Sequence, residues 1–216
     1  VAGAMTTLTA ERKHKRPLPP GWRWVRLGDK GIASVIMGQS PPSSTYTDKP
    51  VGLPFYQGKA DFGELHPVPT VWCTNPNRIA EPGDILLSVR APVGPTNIAN
   101  ERCCIGRGLA AIRPKPGTLL SYYLLAVLRY LEPELARSGS GSTFSAIVRE
   151  QIEAISFPLP TPDEQRIIVT RLEAQMAEVQ RLRRAAERQL EAIRALPGAL
   201  LGEVFGGYEP GLGPGD

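Results

Sequence analysis

Thr161-Pro162-Asp163-Glu164-Gln165-Arg166-Ile167 is the stretch on which the organisation of the chain turns. Thr161 is placed to cap a helix, Pro162 suits its first position, where the missing N–H costs nothing, and Glu164 can reach back to the cap as in a capping box. Asp163 and Glu164 also favour the positive end of the helix dipole. Downstream, Ile168, Leu172, Met176, Val179, Leu182, Ala186, Leu190, Ile193, Leu196, Leu200 and Val204 recur at steps of three and four, the apolar seam of a long helix. Roughly 40 residues at a rise of 1.5 Å span about 60 Å. Pro197-Gly198 is expected to kink or interrupt the helix, and Gly206-Gly207 to end it. The expected layout is a leader over 1–17, a domain over 18–160, the helix over 161–206 and a flexible tail over 207–216. The seam is too long to be buried by one domain of about 140 residues, which favours an intermolecular coiled coil over a helix folded back on its own domain. Arg181, Arg183, Arg184 and Arg188 read as charges flanking the seam and pairing with Glu178, Glu187 and Glu191, with DNA contact as the other reading.

Upstream of Thr161 the texture changes to short apolar runs broken by most of the chain's 22 prolines and 22 glycines, so each ordered piece must be brief. Trp22-Arg23-Trp24-Val25-Arg26-Leu27 alternates apolar and basic residues as a half-buried strand does. Further strands are expected at Ser34 to Met37, Pro54 to Tyr56, Asp84 to Val89 and Leu109 to Ile112, and a helix from Leu119 to Leu131. The fold class is therefore α+β: a loop-rich domain on a mostly antiparallel or mixed sheet, then one long C-terminal helix.

Composition narrows the chemistry. A net charge of +4 permits nucleic-acid binding without requiring it. Val1-Ala2-Gly3-Ala4 reads as an expression scar ahead of a start at Met5, and Arg12-Lys13-His14-Lys15-Arg16 as a solvated basic leader. No apolar run reaches the roughly 18 residues of a membrane span, and no signal peptide is recognisable. Cys73, Cys103 and Cys104, odd in number and without a C-x-x-C pair, point to reduced thiols in a cytoplasm rather than to disulfides or zinc. With only His14 and His66 available, no metal site and no cofactor are expected. Nucleotide-binding fingerprints are missing. Asn75-Pro76-Asn77-Arg78 lacks the second proline and the aromatic of an amino-methyltransferase motif. Asp48 with Gln57-Gly58-Lys59 resembles the spaced acid and Q-x-K of some nucleases, but no second strong acid supports a metal.

Several loops suit DNA instead. Gly38-Gln39-Ser40-Pro41-Pro42-Ser43-Ser44, Gln57-Gly58-Lys59-Ala60-Asp61, Ser88-Val89-Arg90-Ala91-Pro92-Val93-Gly94 and Ser138-Gly139-Ser140-Gly141-Ser142-Thr143 pair glycines with hydroxyls, amides or a cation. Such loops offer backbone N–H groups to phosphate and side-chain forks to base edges.

Leu18-Pro19-Pro20-Gly21-Trp22, Leu27-Gly28-Asp29, Gly38-Gln39-Ser40-Pro41-Pro42, Pro82-Gly83-Asp84-Ile85-Leu86-Leu87-Ser88-Val89-Arg90 followed by Gly94, Ser140-Gly141-Ser142-Thr143, and Phe157-Pro158-Leu159-Pro160 running into Thr161-Pro162-Asp163-Glu164-Gln165-Arg166-Ile167, in this order, resemble the specificity subunits of type I restriction–modification systems. The resemblance covers nearly the whole chain, from about Leu18 to Gly207. It implies a non-catalytic subunit with target recognition domains that each read half of a bipartite site in double-stranded DNA, joined by long helices that act as spacers. It also implies that methylation subunits dock on this assembly and that a restriction subunit joins for cleavage. By this analogy Ser40, Lys59, Arg90, Ser142 and Thr143 are expected DNA contacts, with Gln39, Gln57 and Arg107 behind them; Ile168, Leu172, Met176, Val179, Leu182, Leu190 and Ile193 form the partner face of the helix. Family members carry two recognition domains and two helices, whereas this chain has one of each. Two copies with antiparallel helices would restore the two-headed form as a homodimer, and pairing with a different half is the other possibility. The competing readings are a coiled-coil scaffold with a protein-binding head and a metal-dependent nuclease built around Asp48 and Lys59.

Overall fold

The structure, a computed structural model, describes residues 17–139 and 146–205. The strands are β1 (Arg23–Arg26), β2 (Ala33–Met37), β3 (Tyr46–Thr47), β4 (Leu53–Tyr56), β5 (Trp72–Cys73), β6 (Ile79–Ala80), β7 (Ile85–Ser88), β8 (Thr96–Ile98), β9 (Cys103–Ile105), β10 (Leu109–Pro114) and β11 (Ser156–Leu159). The helices are α1 (Ser121–Gly139), α2 (Arg149–Glu153) and α3 (Pro162–Phe205). The chain divides into two compact units, one ending at Val169 and one beginning at Thr170. The first therefore takes in the opening two turns of α3.

Within the first unit, a four-stranded sheet runs in the order β2-β10-β7-β8, antiparallel throughout. A five-stranded sheet, β3-β5-β4-β9-β6, contains one parallel pair, β4 with β9. The mixed sheet expected from the sequence is thus present.

Side chains of a strand alternate faces, and β7 and β10 show what that does here. Ile85, Leu87, Ala110 and Ile112 join a core with Leu124, Leu128 and Leu135 of α1. Leu86, Leu109 and Ala111 join a second core with Tyr56, Ala80, Cys103 and Ile105 of the other sheet. With both faces covered, these strands read as continuous apolar runs rather than alternating ones. Asp84, buried just before β7, is clasped by Arg113 of β10 (Nε to Oδ1 2.9 Å, Nη2 to Oδ2 2.8 Å).

All three cysteines are free and buried; burial pushes the Cys103 thiol up to about 12 and the Cys104 thiol to about 11. Among the described residues no three His, Cys, Asp or Glu side chains gather as a metal would need, and no helix is long and apolar enough to cross a membrane.

A third, two-stranded sheet pairs β1 antiparallel with β11, Arg23 opposite Leu159 and Arg26 opposite Ser156. It sets the start of the domain beside the start of α3. There the expected capping box forms: Glu164 N donates to Thr161 Oγ1 (3.4 Å), and Glu164 Oε2 accepts from Thr161 N (3.0 Å) and Thr161 Oγ1 (2.8 Å). Trp22 Nε1 adds a bond to Glu164 Oε1 (3.2 Å). The next residue, Gln165, is fully buried. Its Nε2 donates to the carbonyls of Thr118 (2.9 Å) and Pro160 (3.0 Å), and its Oε1 accepts from Leu120 N (2.8 Å).

The Thr161 hydroxyl first, then the Thr161 amide and Trp22, hold the Glu164 carboxyl below its ordinary range. A lowered carboxylate contributes stability above its unfolded pKa and loses it as pH falls through the folded value. Glu164→Gln is accordingly expected to lower Tm near neutral pH and to converge on the parent in acid. Thermal melts of both chains between pH 7 and pH 3 check this; a constant offset would remove the ionised cap as the cause.

Two expectations about helix ends are corrected. α1 does not stop near Leu131 but continues through Pro133 to Gly139, because Leu131 and Leu135 on either side of the proline are both buried in the core. Proline removes one bond and crowds one carbonyl, and here packing outweighs that cost. Likewise α3 is not interrupted at Pro197-Gly198, since the Ala- and Leu-rich turns on both sides sustain it to Phe205. The expected end at Gly206-Gly207, the leader and the tail lie outside the described residues.

Candidate nucleic-acid interface

Three backbone segments cross at the turn Gly106-Arg107-Gly108, which joins β9 to β10. After β2 the chain passes so close that a Cβ on Gly38 would lie 2.1 Å from the Gly106 carbonyl oxygen. Gly38 N donates to Leu109 O (2.9 Å) and Gln39 N to Ile105 O (3.0 Å). From the end of β4, Gly106 N reaches Tyr56 O (2.8 Å), and a Cβ on Gly108 would meet Gln57 O at 2.0 Å. Only glycine lets backbones approach this closely. From β7, Val89 N donates to Gly108 O (2.9 Å), which brings Arg90 to the same turn.

Five of the sequence-derived contacts therefore gather here. Gln39, Gln57, Arg90 and Arg107 are exposed, and Ser40 is half-buried. Ser40 Oγ accepts from Arg107 N (3.3 Å) and so fixes the backbone from which Arg107 projects. Arg107 is close enough to Tyr46 to oppose, in part, the burial that raises the Tyr46 phenol. Tyr46 itself is held by a bond to Pro41 O (2.8 Å) and by the Phe55 ring at 4.7 Å.

Lys59 stands beside this group on a 3-10 turn, Lys59–Asp61. The Asp61 carboxylate accepts from Gln57 N (2.6 Å) and Gly58 N (3.1 Å), closing the turn that presents Gln57 and Lys59. Lys59 also borders an open cleft of about 370 Å³ shared with Phe62, Thr96, Asn97, Arg129 and Glu132. Ser142 and Thr143 lie outside the described residues, although Ala146, just beyond them, bridges to Arg90.

Lys59, Arg90 and Arg107 form no ion pair among the described residues, whereas Arg26, Arg102, Arg113 and Arg149 each hold a carboxylate. Exposed guanidinium and ammonium groups without an internal counter-ion are free to meet phosphate oxygens or the acceptor edge of guanine, and Gln39 and Gln57 can offer the fork that suits adenine. Asp61 belongs to a loop that the sequence marks as suited to DNA, although not as one of the expected contacts, and Tyr46, which also shapes this surface, carries no sequence signal of its own. The role of Tyr46 depends on partners from elsewhere, Pro41 O and the Phe55 ring, whereas Asp61 closes its own loop on Gln57 N and Gly58 N. Asp48, the acid of the nuclease reading, is exposed in the loop after β3.

On α3, Ile168 is half-buried against the core of the first unit, and Leu172, Met176, Val179, Leu182, Leu190 and Ile193 are all exposed. Arg181 pairs with Glu178 and Arg183 with Glu187 along the helix, as read from the sequence.

Comparison with known proteins gives consistent matches. The family model described as Type I restriction modification DNA specificity domain matches residues 19–192. A Methanocaldococcus jannaschii protein provisionally named as the type I restriction enzyme MjaX specificity subunit is 40% identical over 177 residues, covering 82% of this chain and 41% of that protein. A solved chain from work on complex assembly and conformational transition of the type I R-M system superposes with a TM-score of 0.81 at 52% identity, over 88% of this chain and 47% of that one. The HsdS subunit from Thermoanaerobacter tengcongensis superposes with a TM-score of 0.71 at 54% identity, over 79% of this chain and 41% of that one. This chain thus spans less than half the length of each of these relatives.

Proposed function

We propose, because this chain belongs to the type I restriction modification DNA specificity domain family, that it is a non-catalytic subunit which reads one half-site of double-stranded DNA through the surface around Gly106-Arg107-Gly108. It docks methylation subunits along α3, and a restriction subunit joins that assembly in the cytoplasm. Two copies with antiparallel helices supply two recognition domains, so the target is a palindromic bipartite sequence. The observation that carries this reading is the set of exposed cations Lys59, Arg90 and Arg107, which form no ion pair among the described residues, grouped with Gln39 and Gln57 on a glycine-locked crossing of separate backbone segments.

Binding selection from a random duplex pool, with the full chain alone and with its methylation subunits, tests the reading. Arg107→Ala and Arg90→Ala then sort the contacts. A cation that reads a base should lose about 1–3 kcal/mol of discrimination at one position only. A cation that holds phosphate should weaken all sequences alike and reduce the salt slope by about 0.9. If neither substitution changes affinity, preference or salt slope, the turn is not the reading surface. A chain that selects no DNA under either condition would favour the scaffold reading.

A further inference from the structure

We infer that α3 pairs with the same helix of a second copy about a two-fold axis at Ala186, which specifies a register for the two-copy arrangement proposed above and rests on it. The inference comes from the symmetry of the exposed stripe. Leu172, Val179, Ala186, Ile193 and Leu200 repeat every seven residues and form its spine. Met176, Leu182, Leu190 and Leu196 flank that spine, so the full stripe advances by 4, 3, 3, 4, 4, 3, 3 and 4 residues. That series is the same read from either end, and Ala186 is its centre. All eight large side chains of the stripe are exposed, from 39% for Leu172 to 61% for Ile193.

Antiparallel pairing about Ala186 sets Leu172 against Leu200 and Val179 against Ile193, with the small Ala186 side chains meeting on the axis, where the helices approach most closely. Neighbouring registers bury polar residues in the seam or leave it partly unpaired. A slip of four residues one way puts Val179 against Gln189 and Ile193 against Gln175. The same slip the other way puts Ile193 against Arg183 and Val179 against Pro197. A slip of a whole heptad leaves one end of the spine without a partner. Polar residues at seam positions penalise misalignment in this way in coiled coils.

Charge supports the same register. In a seven-residue repeat Arg183 and Glu187 lie on one flank of the spine, and Arg171 and Glu203 on the other. Reversal about Ala186 brings Arg183 beside Glu187 of the second copy, and Arg171 beside its Glu203, at nearly equal heights. Each contact occurs twice by symmetry. Arg183 and Glu187 already pair within one helix at 3.0 Å, so dimerisation would extend that pair into a four-membered cluster.

Light scattering and site-directed cross-linking on the full chain test the register. A dimer has about twice the 23.4 kDa of the chain. Under mild oxidation Ala186→Cys is expected to yield a cross-linked dimer. Leu172→Cys alone should not, because antiparallel copies hold that position about 40 Å apart at 1.5 Å per residue. A mixture of Leu172→Cys and Leu200→Cys chains should cross-link again. The native thiols at Cys73, Cys103 and Cys104 are buried, and the parent chain serves as the control. Cross-linking of Leu172→Cys on its own would establish parallel helices and overturn the inference. A dimer in which Ala186→Cys stays uncross-linked would overturn the register while leaving the two-copy reading intact. A monomer at every concentration would overturn both.

Discussion

Gly38→Ala is expected to cost about 2–4 kcal/mol of stability and to abolish DNA binding, although it adds a single methyl group. That methyl would lie 2.1 Å from the Gly106 carbonyl oxygen and 2.7 Å from that of Leu109. Both obstacles are backbone, so no side chain can swing aside. Relief requires the segment after β2 to lift away, and the bonds from Gly38 N to Leu109 O and from Gln39 N to Ile105 O go with it. The Ser40 bond to Arg107 N loosens next, so the proposed reading surface fails together with the fold. Gly58→Ala is the matched control. A Cβ there meets nothing within 4 Å, and the φ of −179° is an extended conformation open to any residue. It should stay within about 0.5 kcal/mol of the parent. Urea titration of the three chains decides the matter, and equal midpoints for Gly38→Ala and Gly58→Ala would refute the crossing as described.

The second large effect is expected at Gln165. Gln165→Leu keeps the volume and removes every polar atom of a fully buried side chain. Leu120 N, Thr118 O and Pro160 O would each lose a partner where water cannot replace it. At about 1–3 kcal/mol for a strongly unsatisfied buried group, and with partial relaxation, the expected loss is about 3–5 kcal/mol. Hydrogen exchange should show opening concentrated at the starts of α1 and α3, which the Gln165 amide joins. Retained stability in Gln165→Leu would mean that the packing of Ile168 and Val169 against the core suffices to hold the helix start.

How far the sequence could be read depended on the range over which each signal acts. The α3 start was legible because a capping box lies within four residues, β1 because apolar and basic residues alternate, and β2, β4, β7 and β10 as apolar runs bounded by turn residues. Strands β3, β5 and β6, of two residues each, are too short to carry any periodicity. The same holds for β8 and β9, of three residues each: Thr96-Asn97-Ile98 and Cys103-Cys104-Ile105 become strands only because neighbouring strands accept their backbone groups. β11 is four residues long but contains Pro158, which argues against a strand when read from sequence. The reach of α1 past Pro133 depended on a pocket for Leu135 that other elements build. At the candidate interface the loops themselves were visible as glycine-rich stretches. Their convergence was not, since Gln39, Gln57, Arg90 and Arg107 meet only after the two sheets have formed.

The pairing of β1 with β11 makes the domain proposed to read DNA a cassette whose entrance and exit lie side by side. A recombination event with breakpoints near Leu18 and after Pro160 would replace every loop proposed to touch DNA and leave the α3 cap and stripe untouched. The attachment tolerates such an exchange because Gln165 binds main-chain atoms of Thr118, Leu120 and Pro160, which an incoming domain of the same backbone would supply whatever its side chains. Among the described residues, the bond from Trp22 to Glu164 and the packing of Ile168 and Val169 against the core ask for particular side chains across the junction. On the proposed function, the fold separates inheritance of the scaffold from inheritance of the target, and new specificities would be acquired by grafting rather than by rebuilding the assembly.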